Sequence, residues 1–256
     1  LESAKCSFCT AFIKIKTSRT LLKNLLPNSA YSFSGHGSVA YATFSQSTLD
    51  GLDWRAGGGY NHMGLYIYGI EYQQANGEVT RGTYLPIIFE DLTDPIISGR
   101  EELGFPKLFS TIDVAKPKDS YHITTSWRGS AWGRMTLTGL SEAEETASTA
   151  AGSVDPGLLV HRYMPSVGRK GKGTPEAEYP VLVDYAQESQ LVPTKITRVL
   201  NASQATIQID GLGWNQLPTL HHIISRLAEI PVYDIVEAKV TEGEGVMDVS
   251  SAKKVL

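Results

Sequence analysis

The feature that most restricts the fold of this chain is a regular succession of short strand-like runs punctuated by turn residues. Leu65 to Tyr72 is aromatic and β-branched, and Asn76-Gly77 makes a good hairpin turn before Val79. Thr83 to Phe89 is the next apolar run, with Pro86 better suited to an edge or a bulge than to a regular central position. Further short runs follow at 111–114, 121–127, 133–140, 158–163, 180–183, 195–200 and 205–209, and Val232 to Val240 closes the series. Upstream, residues 10–16 and 37–45 have the same chemistry. Strands at this spacing, without helices between them, predict a mostly β (α+β) fold, a curled antiparallel barrel or cone, rather than βαβ units. A few flanking helices are expected, two of them with clear signals. One runs from Ser18 to Leu26 before Pro27; the other runs from Gln216 to Glu229, with Pro218 near its start and Pro231 as its stop. No linker, repeat or low-complexity boundary interrupts the pattern, so residues 1–256 read as a single domain.

Composition narrows the partners. Of 256 residues, 41% are hydrophobic and 20% charged, enough for a proper core, and the net charge of −4 gives no electrostatic reason to expect nucleic acid. No apolar run approaches a membrane span, so no membrane partner is expected, and with only two cysteines a cytoplasmic location is the default. Cys6 and Cys9 form a lone C-x2-C with no second pair, which reads as two reduced structural thiols rather than a zinc site. No metal is expected. The glycine run Gly57 to Gly59, after Trp54, matches no phosphate-binding pattern and reads as a mobile loop or lid. Glu142, Glu144 and Glu145 read as a solvated surface segment, and Arg169 to Lys172 as an exposed hairpin tip.

Chemistry concentrates in one stretch, Gly99 to Leu108 (GREELGFPKL), read as turn-rich rather than as a long helix because two glycines and a proline punctuate it. Its lysine, Lys107, lies among Phe105, Leu108 and Phe109. Desolvation penalises a charged amine, and a neutral amine attacks carbonyls to form Schiff bases. Equally, a lysine beside apolar residues buries its stem and keeps its head in water. The residues alone leave both readings open.

The whole string resembles the acetoacetate decarboxylase family: Gly-Arg-Glu, three residues, an aromatic (Phe105), then Pro106-Lys107. The likeness extends through Tyr84 to Phe89, the Asp94-Pro95 pair, the leucine helix before Pro27, the run from Leu158 to Pro165 and the end of the late helix at Ile230-Pro231. The resemblance implies a curled antiparallel β-barrel with flanking helices, a homo-oligomer, and a cofactor-free enzyme whose lysine forms an imine with a β-keto acid. It places Lys107 on the nucleophile. Arg100 and Glu101 fall on the motif and either orient the site or form a structural ion-pair corner. Glu71 approximately matches a site glutamate, with a surface strand glutamate the alternative. Phe105 and Ile88 fall on apolar walls, Leu108 is a further candidate for touching substrate, and His62, just after the glycine loop, could enter the site as an acid or base. Three positions depart from the family. Leu108 stands where a second lysine is expected, Ala42-Thr43 offers no carboxylate, and no arginine lies near Phe8 to engage a substrate carboxylate. The expected function is decarboxylation of a β-keto acid larger or less polar than acetoacetate. The alternatives are a Schiff-base aldolase-dehydratase or other carbonyl lyase, and a silent protein binding a small carbonyl ligand.

Overall fold

The computed structural model describes residues 6–51, 58–143, 155–168, 174–185, 194–245, 249 and 251–255. Trp54, Gly57, Glu144, Glu145 and the segment Arg169 to Lys172 lie outside the described residues. The strands are β1 (Ser7–Ser18), β2 (Tyr31–Phe33), β3 (Val39–Asp50), β4 (Gly59–Gln73), β5 (Val79–Glu90), β6 (Lys107–Phe109), β7 (Thr111–Ala115) and β8 (Ser120–Trp127). They continue with β9 (Ser130–Glu142), β10 (Gly157–Met164), β11 (Ala177–Asp184), β12 (Lys195–Ile209), β13 (Asp234–Glu244) and β14 (Lys253–Lys254). The helices are α1 (Arg19–Lys23), α2 (Thr93–Glu101) and α3 (His221–Ala228).

All the described strands belong to one sheet, ordered β14-β11-β10-β5-β4-β3-β1-β13-β12-β9-β8-β7, with β2 added to β4 and β6 to β5. The mostly β fold expected from the strand spacing is therefore present, with two refinements. The sheet is mixed, because β10 and β6 both run parallel to β5. Its hydrogen-bonded path does not close among the described residues. It is nevertheless strongly curled. Phe89 on β5 and Trp132 on β9 lie six places apart in the strand order, yet their ring centroids are 4.7 Å apart. Twist accumulated over many strands brings the two ends around one core.

Strand alternation then divides the apolar residues into two clusters. Inside the curl, Phe44, Met63, Leu65, Ile67, Phe89, Trp132, Met135 and Leu137 form the main core. Helix α3 plugs it with Ile224 and Leu227, helped by Leu217 and Leu220 from the turns just before the helix. On the opposite face, Leu85, Ile88, Leu158, Val160, Val181 and Val183 pack with Phe105 into a second cluster. Pro86 sits at a register shift between β4 and β5, where its missing N–H costs no ladder bond.

Both expected helices exist but are shorter. Ser18 caps α1 by accepting from Leu21 N–H, and the late helix starts only at His221, after turns. One expectation is corrected at the site: Gly99, Arg100 and Glu101 form the last turn of the nine-residue helix α2 rather than a loop. Pro95 is tolerated there because it lies in the first turn, where an N–H would have no helical partner. Cys6 and Cys9 are free thiols; Cys6 is buried, and Cys9 lies on β1 with its Sγ 3.7 Å from the Tyr121 hydroxyl.

Candidate active site

Three strands converge to present polar groups on the second-cluster face. Along β5, Ile87 and Phe89 enter the main core while Ile88 faces the second cluster, so Glu90 emerges on the same side as Ile88. On β4, His62 pairs with Glu90 and Gly64 with Ile88. On β6, Lys107 pairs with Ile88. His62, Glu90 and Lys107 thus meet on one face although 45 residues separate the first from the last in sequence.

The backbone around Lys107 is tightly specified. Helix α2 ends in a turn closed by Phe105 N–H donating to Gly99 O at 3.0 Å, with Gly104 in the left-handed region at φ 74°. Ile88 N–H donates to Pro106 O at 3.1 Å, and Ser110 N–H donates to Glu90 O at 3.0 Å. The Arg100 guanidinium donates to Lys107 O at 3.0 Å. Gly99 lies under the lysine stem. A Cβ there would come within 2.6 Å of Lys107 Cδ and 2.8 Å of its Nζ, so the glycine of the motif provides the space in which the amine lies.

The amine is nearly enclosed. Lys107 Nζ lies 2.7 Å from Glu90 Oε1, the side chains being 12% and 1% exposed. It also donates to Pro95 O at 3.0 Å and stands 5.9 Å from the Phe105 ring centroid. Burial raises the Glu90 carboxyl above its ordinary value; Lys107 opposes this and Asp91 adds to it. Burial, followed by the nearby Lys107 charge, pushes His62 down to about 3, so its imidazole is neutral at physiological pH. The phenol of Tyr66 is pushed up, first by burial and then by its neighbours, Tyr185 and Glu90 among them. Two polar atoms of this cluster are buried with no partner, Glu90 Oε2 and His62 Nδ1. A buried polar atom without a partner is costly, and in a site it marks a position for a bound molecule to fill.

Just past the main core, the opposite face at this end of the strands carries a group of paired polar side chains. Asn61 N–H and Nδ2 donate to the Asp91 carboxylate at 2.7 and 2.8 Å, and Thr48 donates to Asn61 Oδ1 at 2.6 Å. These residues border a cleft of about 400 Å³, lined also by Asp50, Tyr60 and Leu92, at the end of the sheet that carries His62 and Glu90.

The structure sorts the residues singled out in the sequence. Lys107, His62, Phe105 and Ile88 come together. Leu108 does not join them: alternation turns it to the main core, against which it packs. The departure at this position is therefore without effect on the amine, since a side chain at 108 points away from Lys107. Arg100 is exposed and acts on the β6 backbone rather than on the amine. Glu101 is exposed at the end of α2. Glu71 lies nine residues along β4 from His62, roughly 25–30 Å away, and pairs with Arg81 at 2.7 Å on the surface. Sequence reasoning missed Glu90, which ends an apolar run next to Asp91 and looks like a flanking charge. The signal was the alternation of β5, which sets Ile88 and Glu90 on one face. Among the described residues, no group of three or more His, Cys, Asp or Glu side chains could hold a metal ion, and no helix is long and apolar enough to cross a membrane.

No curated protein sequence matches the chain. Several solved structures share its fold. A structure of acetoacetate decarboxylase superposes with TM-score 0.69 at 14% identity, covering 98% of this chain and 89% of that one. Acetoacetate decarboxylase from Legionella pneumophila gives 0.67 at 16% identity, covering 98% and 87%. The enduracididine biosynthesis enzyme MppR, complexed with pyruvate, gives 0.64 at 12% identity, covering 99% and 91%. The sequence profile of the acetoacetate decarboxylase family matches residues 9–207. With the motif, the fold and that match in agreement, the chain is a member of the acetoacetate decarboxylase family.

Proposed function

We propose that the protein is a cofactor-free Schiff-base lyase acting on a β-keto acid through Lys107. The observation that carries this reading is the nearly enclosed amine of Lys107, 2.7 Å from a carboxylate whose own proton affinity is raised by burial. Glu90 stands within proton-transfer distance of the amine. When the proton resides on Glu90, Nζ is a neutral nucleophile. It adds to the keto carbon, and the carbinolamine loses its oxygen as water, with Glu90 returning the proton. The resulting iminium draws in the electron pair as the bond to the carboxylate carbon breaks and carbon dioxide leaves. The enamine then takes a proton on carbon, and water hydrolyses the imine to release the ketone and free Lys107. His62, held neutral, offers an uncharged hydrogen-bonding partner to the bound carbonyl compound, and Glu90 Oε2 accepts from the attacking or departing water.

A second reading keeps the imine and replaces loss of carbon dioxide by aldol bond-making or dehydration. It is favoured by the likeness to MppR, a structure of which holds the condensation product of pyruvate and imidazole 4-carboxaldehyde. Borohydride trapping with a panel of β-keto acids, pyruvate and simple ketones, followed by peptide mapping, tests both. A reduced adduct on Lys107, absent in Lys107→Ala, is expected. No adduct on any lysine of folded protein sinks both readings and leaves a binding protein. Release of carbon dioxide from a trapped β-keto acid separates the first reading from the second.

A further inference from the structure

A second carboxylate stands behind the reactive pair. Asp91 follows Glu90 directly, and the two side chains take opposite faces: Glu90 meets Lys107, and Asp91 meets Asn61 of β4. Asn61 N–H donates to one Asp91 oxygen at 2.7 Å and Asn61 Nδ2 to the other at 2.8 Å, while Asp91 N–H donates back to Asn61 O at 3.2 Å. The Asn61 amide has one orientation that suits its surroundings. Its Oδ1 accepts from Thr48 at 2.6 Å and from Gln46 Nε2 at 3.3 Å, which leaves Nδ2 for Asp91. Gln46 is fully buried and accepts in turn from the Tyr121 hydroxyl at 3.2 Å. A chain of neutral side chains thus fixes the carboxylate of Asp91 at the border of the cleft.

Like charges on consecutive residues repel, and here the repulsion has a direction. When the proton moves from Lys107 Nζ to Glu90 Oε1, positive charge leaves the amine and arrives on the residue next to Asp91. A negative charge on that side favours the neutral amine and the protonated carboxyl over the ion pair. Among the described residues, the other groups around the pair do not supply this pull. From β4, His62 is held neutral and the Tyr66 phenol is pushed up, so neither is charged at neutral pH. From α2, the Pro95 carbonyl oxygen accepts from the amine and favours its protonated form, while Asp94, Arg100 and Glu101 are exposed. Burial first, and Asp91 after it, hold the Glu90 carboxyl above its ordinary value against the opposing charge of Lys107.

We infer that Asp91, oriented by Asn61, is a positioning residue that acts through Glu90: its charge draws the Lys107 proton onto the carboxyl and so sets the fraction of amine free to attack a carbonyl carbon. The step is a proton transfer within the pair, from ammonium and carboxylate to amine and carboxylic acid, and needs no further reactant. The inference deepens the reading of Lys107 as the imine-forming residue and rests on it, but its test does not.

The experiment follows the neutral amine itself, by labelling with trace acetic anhydride from about pH 6 to about pH 10 and peptide mapping of Lys107, with borohydride trapping of acetone in parallel. Water in the cleft screens part of the pull, so Asp91→Asn is expected to slow Lys107 labelling about 3–10-fold near pH 7 and to approach the wild type near pH 10, where the pair has lost its proton. Asp91→Glu restores part of the neutral-pH rate. Asn61→Ala, which frees the carboxylate without removing it, moves the profile the same way by less. In a Glu90→Gln background Asp91→Asn no longer slows labelling, because no carboxyl remains to take the proton. An equal loss at every pH, an unchanged rate near pH 7, or a slowing that persists in the Glu90→Gln background overturns the assignment. If Asp91→Asn does not fold, an Asn61→Ala profile that coincides with the wild type overturns it instead. A shifted labelling profile without a trapped adduct from any ketone or β-keto acid overturns the imine reading and leaves the assignment standing.

Discussion

Strand β5 joins an ion pair near each end, to β4 through Arg81 and Glu71 and to β6 through Glu90 and Lys107, and both are 2.7 Å long. Glu71 and Arg81 are 21% and 66% exposed, whereas Glu90 and Lys107 are 1% and 12% exposed. Bond length does not distinguish them; water does. At the exposed end solvent screens both charges, and holding two long side chains together costs about what the attraction returns. At the buried end little water reaches either charge, the amine donates to Glu90 and to the Pro95 carbonyl oxygen, and burial lifts the proton affinity of the carboxyl. An exposed pair and a buried pair are thus built from the same two kinds of charge, the first between β4 and β5 and the second between β5 and β6.

The most forceful way to break the comparison is to delete one cation from each pair. Lys107→Ala should abolish trapping outright and cost about 3 kcal/mol of stability at pH 8, because it strands a buried carboxylate. That cost should shrink in denaturant titrations at lower pH, where protonation removes the stranded charge. Glu90→Gln keeps the shape but removes the proton acceptor, and stopped-time borohydride trapping should show imine formation slowed about 10²–10⁴-fold. An unchanged rate would remove Glu90 from the chemistry.

Gly99→Ala sharpens the point that the buried end depends on space as well as charge. The new methyl group meets Lys107 rather than backbone, so the side chain must shift, at about 1–3 kcal/mol. Trapping should fall well below wild type while circular dichroism stays unchanged.

The pH dependence of stability offers a finer test. His62 is pushed down to about 3 in the folded chain from an ordinary value of 6.5. The unfolded chain therefore binds the extra proton first, and the contribution of His62 is fully present above about 6.5 and lost as pH falls toward about 3. Between pH 6.5 and 5 this amounts to about 2 kcal/mol. Glu90 acts with the opposite sign: its raised value contributes stability below the ordinary 4.5 that is lost as pH rises through the folded value. Comparing the wild type with His62→Gln isolates the histidine, and a parallel pair of curves would show that His62 is not buried neutral. Arg81→Ala, at the exposed end, should change stability by less than about 0.5 kcal/mol and leave trapping untouched.

Much of this was legible beforehand because it is local. Strand chemistry and turn residues mark β4, β5, β8 and β9 directly, and the motif marks Lys107. What was not legible depends on register. Glu71 and Glu90 are both strand glutamates close to aromatic neighbours, and nothing in either local sequence says which one faces a lysine. The answer comes from β6 lying parallel to β5 at Ile88, a pairing with no hairpin to announce it. Leu108 was misjudged for the same reason. Adjacent positions in a strand face opposite sides, so a residue that touches Lys107 in sequence cannot touch its amine in space.

Trp132 has a practical consequence. It is fully buried, rests on Phe89, and donates its indole N–H at 3.1 Å to Ser110 Oγ, while the Ser110 backbone holds Glu90 O. A dry indole linked through Ser110 to Glu90, the last residue of β5, is a natural fluorophore on the far side of the sheet from Lys107. Its emission should shift when an adduct loads β6, giving an optical signal of imine formation in unlabelled protein.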